Sequence, residues 1–303
     1  MADYKKLVVY GTGRALTSEI TEVFAAGARI ASPTSEVLHY PIEHFIKYGI
    51  PEDVDAVATL GILRGTGTML QTAASRGIDR FYVDHAYFNA GYSPNAWLRI
   101  TKNHHSMSWL DTIDSSRFTQ NFIENYTMKP WKTGTQRSKK ILICPPTNAV
   151  AWYFNAHNWT EKILHNLKEV LPADEFEQVI VRSKPNEPIV DKLGNLIRVA
   201  KNKPSCPLEE DLQSSGCVIA YNSIIALTAT LRGIPVIVNQ HSCCFPIRFV
   251  IGDLAEGIQS PLLDKEPARQ DLVNWLSNSQ YTISEIRSGY AWKDIDEKQT
   301  NPN

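Results

Sequence analysis

Short apolar runs alternate with amphipathic stretches along this chain, and turn residues punctuate each change. Lys6 to Tyr10 is an apolar strand ending in Gly11-Thr12-Gly13-Arg14, and Thr17 to Ala26 carries the helical period. Val54 to Leu60 reads as a buried strand. Arg64-Gly-Thr-Gly-Thr then opens a helix to about Arg76, where Gly77 supplies the C-terminal stop. Arg80 to Asp84 is the next strand. Such alternation predicts a parallel, doubly wound sheet.

The pattern weakens between Arg99 and Lys140, and residues 129–140 (KPWKTGTQRSKK) are polar, basic and rich in breakers, which predicts a linker. Alternation then restarts. Lys140 to Cys144 is a strand, Pro145-Pro146 a stop, Asn158 to Val170 a helix, and Glu177 to Val181 and Val218 to Tyr221 are strands. Pro235 to Asn239 closes the series. The second half repeats the first in rhythm without repeating its residues. The expected fold class is therefore α/β, with two Rossmann-like doubly wound domains. Residues 1–130 would form the first and 131–268 the second. Residues 269–303 would be C-terminal helices packing back across the junction. Trp275, Leu276, Tyr281, Ile283, Ile286 and Trp292 would supply their apolar faces, with Asp296 to Asn303 as a disordered tail.

A length of 303 residues suits two domains of ordinary size or one large α/β domain. The net charge of −1 excludes the whole-chain electrostatic footprint of a constitutive nucleic-acid binder, leaving room for a local basic groove. No apolar run approaches the roughly 20 residues of a membrane span. MADYKKLVVYG runs directly into a strand and predicts no leader. The five cysteines (Cys144, Cys206, Cys217, Cys243 and Cys244) are odd in number and lack CxxC spacing. Cys144 and Cys217 read as small buried hydrophobes, while adjacent Cys243-Cys244 leaves redox chemistry open. Together these predict a reducing, cytoplasmic location.

Candidate chemistry concentrates at strand ends. In residues 217–238 an apolar strand enters a helix through Tyr221-Asn222-Ser223, and Gly233-Ile234-Pro235 stops that helix before a further strand. An Asn-Ser turn at a helix start offers backbone N–H groups and a hydroxyl to phosphate. Arg182 and Lys184, at another strand end, could complete a diphosphate cradle, and Pro145-Pro146-Thr147-Asn148 forms a third loop on the same edge. His241, beyond the last strand, is a further candidate.

In the first half, Leu16 occupies the place of the third glycine of a dinucleotide fingerprint and no acid ends a second strand, which excludes a Rossmann dehydrogenase. The same loop is either a tight turn or a presentation of Arg14 to an anion or acceptor. Gly61-Ile-Leu-Arg64-Gly-Thr66-Gly lacks the Gly-Lys-Ser/Thr ending of a Walker A loop, and its Arg64 and Thr66 suit anion or sugar contact. Asp84-His85 follows an apolar strand, where it would be either a general base or a cap and a structural histidine. His104-His105 reads as solvated surface or an acceptor contact.

The order of the second half, from Cys-Pro-Pro through Arg-x-Lys-Pro and Pro-Leu-Glu-Glu-Asp-Leu to Tyr-Asn-Ser-x5-Thr-x-x-Arg-Gly-Ile-Pro-Val-Ile, resembles the nucleotide-sugar half of GT-B glycosyltransferases. The capsule-polysaccharide and sialyl- or Kdo-transferase-like branches are the most similar, over residues 139–260. The resemblance implies metal-independent transfer of a sugar from a nucleotide-sugar co-substrate to a hydroxyl, with no other cofactor. It implies Arg182, Lys184, Asn222 and Ser223 on the donor phosphates, and Pro146, Thr147, Asn148 and Thr228 along the nucleotide. Thr228 stands where many such enzymes hold the ribose with Glu, which leaves uridine- and cytidine-type donors both open. The resemblance makes residues 131–268 the nucleotide-sugar-binding domain and residues 1–130 the acceptor-side domain, the two facing across a cleft, although the first half matches in rhythm alone. There Asp84 or His85 would deprotonate the acceptor, with Arg14, Arg64 and Thr66 as acceptor or anion contacts. A surface glycan is one acceptor. A hydroxymethylated base in viral DNA is another, with residues 129–140 as its basic face. The alternatives are a sugar-nucleotide epimerase and a non-catalytic nucleotide- or glycan-binding protein.

Overall fold

A computed structural model describes residues 4–93, 96–108, 110–185, 187–199, 207–247, 249–250, 258 and 261–298. The chain divides into two compact units, Met1–Ile123 with Val273–Asn303, and Glu124–Leu272. In chain order the first unit contains β1 (Lys6–Gly11), α1 (Ala15–Ala31), β2 (Glu36–Pro41), α2 (Ile42–Tyr48), β3 (Ala56–Leu60), α3 (Thr66–Ser75), β4 (Asp79–His85), β5 (Trp97–Lys102) and α4 (Ser116–Asn121). The second contains β6 (Ile141–Cys144), α5 (Asn148–Tyr153), α6 (Trp159–Val170), α7 (Ala173–Phe176) and β7 (Ile180–Val181). It continues with α8 (Leu208–Ser214), β8 (Cys217–Ala220), α9 (Ile225–Leu231), β9 (Val236–Val238) and β10 (Phe249–Val250). The chain returns to the first unit within α10 (Arg269–Ser277) and ends with β11 (Gln280–Thr282), α11 (Ile283–Arg287) and α12 (Tyr290–Lys298).

Each unit is built on a Rossmann-like sheet. The first has the order β11-β5-β4-β3-β1-β2, parallel from β2 through β4. The second, β10-β9-β8-β6-β7, is parallel throughout. In both, the unit's first strand lies between its second and third. The central strands are apolar because helices cover both faces of such sheets: β3, β6 and β8 are buried at every position. One face of the first sheet, with Leu7, Val9, Ala58 and Val83, packs on α1, α11 and α12 through Phe24, Ile286 and Trp292. Gly27 permits the approach, since a Cβ there would lie 1.9 Å from the Ile286 carbonyl oxygen. In the second unit Ile163 and Leu167 of α6 pack on Ile143, Val181 and Ile219. Burial pushes the Cys144 and Cys217 thiols up to about 12. A side-chain hydrogen bond with Cys243 and then burial also raise the Cys244 thiol, so Cys144, Cys217 and Cys244 stay protonated; Cys206 lies outside the described residues.

Several expectations need correction. β2 and β5 form where no strand was expected. β2 is a half-exposed edge strand of mixed polarity, and β5 pairs antiparallel to β4. The strand expected from Glu177 shrinks to Ile180–Val181, because Glu177 and Val179 hydrogen-bond back into the turn of α7. Residues 129–140 are no loose tether. Trp131 is buried and donates to Leu263 O, while a Cβ on Gly233 (φ +71°) would lie 1.9 Å from Pro130 O. Tyr281 sits in β11, antiparallel to β5, rather than on a helix. Asp296 to Lys298 continue α12, where Lys298 Nζ donates to Asn278 Oδ1 at 2.8 Å; the remainder of the expected tail lies outside the described residues.

The C-terminal return also carries a buried polar clasp. Gln280 is fully buried, and its Oε1 accepts the Tyr87 and Phe88 N–H groups at 3.0 Å each. Arg117 donates to the Ser277 and Gln280 carbonyls at 3.0 and 2.9 Å. The clasp thus fixes the backbone just beyond Asp84-His85. Gln280→Leu keeps the volume and orphans both N–H groups, so unfolding free energy should fall by about 1–3 kcal/mol per orphan in denaturant titration.

Candidate functional site

In a parallel sheet the loops at the carboxyl ends of the strands gather on one edge, and a crevice opens where the strand order reverses. In the second unit that point lies between β6 and β8. Pro146, Thr147 and Asn148 follow β6, and Asn222 and Ser223 follow β8, so the two loops flank the crevice. All five residues are half-buried. Thr147 caps α5 by accepting Val150 N–H. Asn148 N donates to Glu187 Oε1 at 2.8 Å and its Nδ2 to Pro188 O at 2.9 Å, tying this loop to the one after β7. Ser223 Oγ accepts Ile225 N–H at 3.3 Å, folding the turn into α9. Thr228 Oγ1 donates to its own helix at Ile224 O.

The two cations expected in the cradle part company. Lys184 is exposed in the loop after β7. Arg182 instead donates from Nη1 to Asp211 Oδ2 at 2.8 Å, and Lys140 Nζ lies 3.4 Å from the other carboxylate oxygen. Asp211 is only 3% exposed, so this carboxylate needs its cations: an unpaired buried charge is strongly unfavourable. Sequence reasoning missed Asp211, which looks like one acid among three in Glu209-Glu210-Asp211.

Behind the Asn222-Ser223 turn lies an aromatic group that the sequence did not announce. Tyr221 is within 5.7 Å of Trp159 and of His241 and 6.0 Å of Phe154, ring centre to ring centre, and Phe154 stacks on His241 at 4.0 Å. Burial pushes the Tyr221 phenol up to about 12 against the opposing pull of a hydrogen bond with Asn239, so it remains neutral near pH 7.

Most cations of the basic stretch 129–140 are engaged within their own unit. Lys132 Nζ donates to Gln213 O and Ser215 O, Arg137 pairs with Asp264, Lys139 with Glu175, and Lys140 with Asp211.

In the first unit the order reverses between β1 and β3. Arg14, exposed, is the N-cap residue of α1 after β1, and no acid occupies the first turn of that helix. Arg64, exposed after β3, has φ +59° and is followed by Gly65 at +90°, the N-cap of α3. Thr66 is fully buried and its hydroxyl donates to Leu63 O at 2.6 Å, so it shapes the loop and has no surface for a ligand. Asp84 and His85 end β4, one strand beyond the reversal. Asp84 Oδ2 pairs with Arg99 Nη2 at 2.9 Å and lies 3.7 Å from His105 Nε2. Burial pushes this carboxyl up, but Arg99 and then His105 outweigh it and hold it below the usual carboxylate range. A depressed pKa makes Asp84 a weak proton acceptor and a good anchor. His85 is exposed, with Nε2 2.8 Å from the Tyr92 hydroxyl. His105 is buried beside Ser106, and His104 Nδ1 accepts the Ser106 and Met107 N–H groups.

Among the described residues no helix is long and apolar enough to cross a membrane. No family model matches the chain, and no curated protein matches it. Among solved structures, KpsC from Thermosulfurimonas dismutans, a beta Kdo 2,4 transferase, is 13% identical over 76% of this chain and 78% of its own, at a TM-score of 0.40. S. aureus MnaA, solved with UDP, is 13% identical over 95% and 94%, at 0.31. The glycosyltransferase SnogD from Streptomyces nogalater is 10% identical over 96% and 99%, at 0.30.

The Asp84–Arg99 pair makes a pH-dependent prediction. A depressed folded pKa adds stability that is fully present above the unfolded value of about 3.9 and is lost as pH falls through the folded value. The stability gap between the wild type and Asp84→Asn, measured by urea unfolding at successive pH values, should therefore shrink as pH falls below about 4.

Proposed function

We propose that this protein is a metal-independent glycosyltransferase, working in the cytoplasm, that moves a sugar from a nucleotide sugar to a hydroxyl of a glycan. The supporting observation is the placement of Asn222-Ser223 and Pro146 to Asn148 on either side of the reversal point of a fully parallel sheet. Phosphate would meet backbone N–H groups and the Ser223 hydroxyl there, with Lys184 as a point charge from the neighbouring loop. Charge-assisted hydrogen bonds of this kind can stabilise a leaving diphosphate in place of a metal. Arg182 supports this edge through Asp211 rather than as a phosphate ligand. Pro146, Thr147 and Asn148 would wall the nucleotide. Thr228, turned to its own helix, offers no carboxylate to a ribose. Arg14 and Arg64, exposed at the reversal point of the first unit, suit the acceptor side.

A glycan is favoured over DNA because the stretch that would have to grip a duplex is largely paired internally. Duplex binding that weakens steeply with salt would reverse that preference. Product formed from the donor without any acceptor would point instead to an epimerase.

Calorimetry with UDP and CMP tests the phosphate grip. At least one nucleotide should bind the wild type, and Lys184→Ala and Ser223→Ala should each weaken it about 10-fold or more, as expected for a lost bond to a charged group. Unchanged affinity in both variants contradicts the assignment.

A further inference from the structure

We propose that Glu43 is the catalytic base that takes the proton from the acceptor hydroxyl, an assignment that rests on the glycosyl-transfer reading. A base needs a place at the reacting edge, a lone pair not already committed, and open space for a substrate oxygen. Glu43 meets all three conditions. It is the second residue of α2, which starts directly beyond β2, so it belongs to the carboxyl edge of the sheet. Its carboxylate reaches back to the loop after β1, where Oε1 lies 3.5 Å from the point at which a Gly13 side chain would begin. Among the described residues, and beyond those adjoining Gly13, no other atom comes within 4 Å of that point. Both residues are exposed. Among the described residues Glu43 has no hydrogen-bond or ion-pair partner.

The two residues expected as bases are differently placed. Asp84 is tied to Arg99, and His85 Nε2 is occupied by Tyr92. Arg14, the next residue after Gly13, and Arg64 across the reversal point are both exposed. Gly13 thus keeps clear a space bounded by an uncommitted carboxylate.

The step balances without further reagents. The Glu43 carboxylate accepts the hydroxyl proton, and the freed oxygen pair forms the bond to the anomeric carbon. The bond from that carbon to the nucleotide phosphate oxygen breaks, and its electron pair leaves with the nucleotide. Glu43 then returns its proton to water.

The test uses the full chain with UDP-glucose, UDP-N-acetylglucosamine, CMP-Kdo and CMP-sialic acid, water serving as the acceptor and nucleotide release as the readout. Glu43→Gln should lower turnover by about 100-fold or more while leaving UDP or CMP affinity and Tm unchanged. Glu43→Asp should retain part of the rate. Gly13→Val, which fills the space, should also cut turnover with Tm preserved, and His85→Ala should cost less than Glu43→Gln. An active wild type with more than half its rate kept in Glu43→Gln overturns the assignment alone, as does a loss matched by a fall in Tm. A wild type that releases no nucleotide from any of the four donors overturns the transfer reading, and the Glu43 assignment falls with it.

Discussion

Parallel strands cannot be joined by tight turns, and this constraint organises both units. Each step to the next parallel strand must cross back over the sheet, which sends every carboxyl end into a loop on one common edge. Both units then place their first strand between their second and third, so both open a crevice at the same topological position. The candidate site residues lie at that edge for that reason: Arg14, Glu43 and Arg64 in one unit, Pro146 to Asn148, Asn222 and Ser223 in the other. Helix starts contribute N–H groups at the same edge, so the architecture already favours anions before any side chain is considered.

Competition among charges decides which of those residues remain open to a ligand. Buried carboxylates claim cations first, because leaving them unpaired in a low-dielectric interior costs more than any exposed pair returns. Buried Asp211 takes Arg182 and Lys140, and half-buried Asp84 takes Arg99. Lys184, Arg14 and Arg64 stay at the surface. The clasp at Gln280 works by the same logic with neutral groups: a fully buried amide holds the backbone after β4, so the C-terminal return positions the loop that follows Asp84 and His85.

Strands buried on both faces were legible because their apolar runs are continuous: β1, β3, β6 and β8 stand close to where periodicity placed them. Edge and antiparallel strands were not. β2 mixes Glu36, His39 and Tyr40 with its apolar residues, β5 carries Arg99 and Lys102, and β11 is three residues long within a segment of helical composition. One available signal was overlooked. Thr282-Ile-Ser-Glu285 is a capping box, and both of its reciprocal bonds are present at the start of α11. At the site, the strand-end loops were readable from their turn residues, whereas pairing was not. Nothing local in the sequence marks Asp211 as the partner of Arg182, twenty-nine positions away, or brings Phe154 onto His241. Glu43 stayed hidden because its edge strand did.

Hydrogen–deuterium exchange with saturating UDP or CMP is the most direct measurement of where a nucleotide sits. Protection should concentrate in residues 145–148 and 221–226, the two loops flanking the β6–β8 crevice. Protection confined to other loops, or no change with either nucleotide, would contradict the placement of the phosphate site.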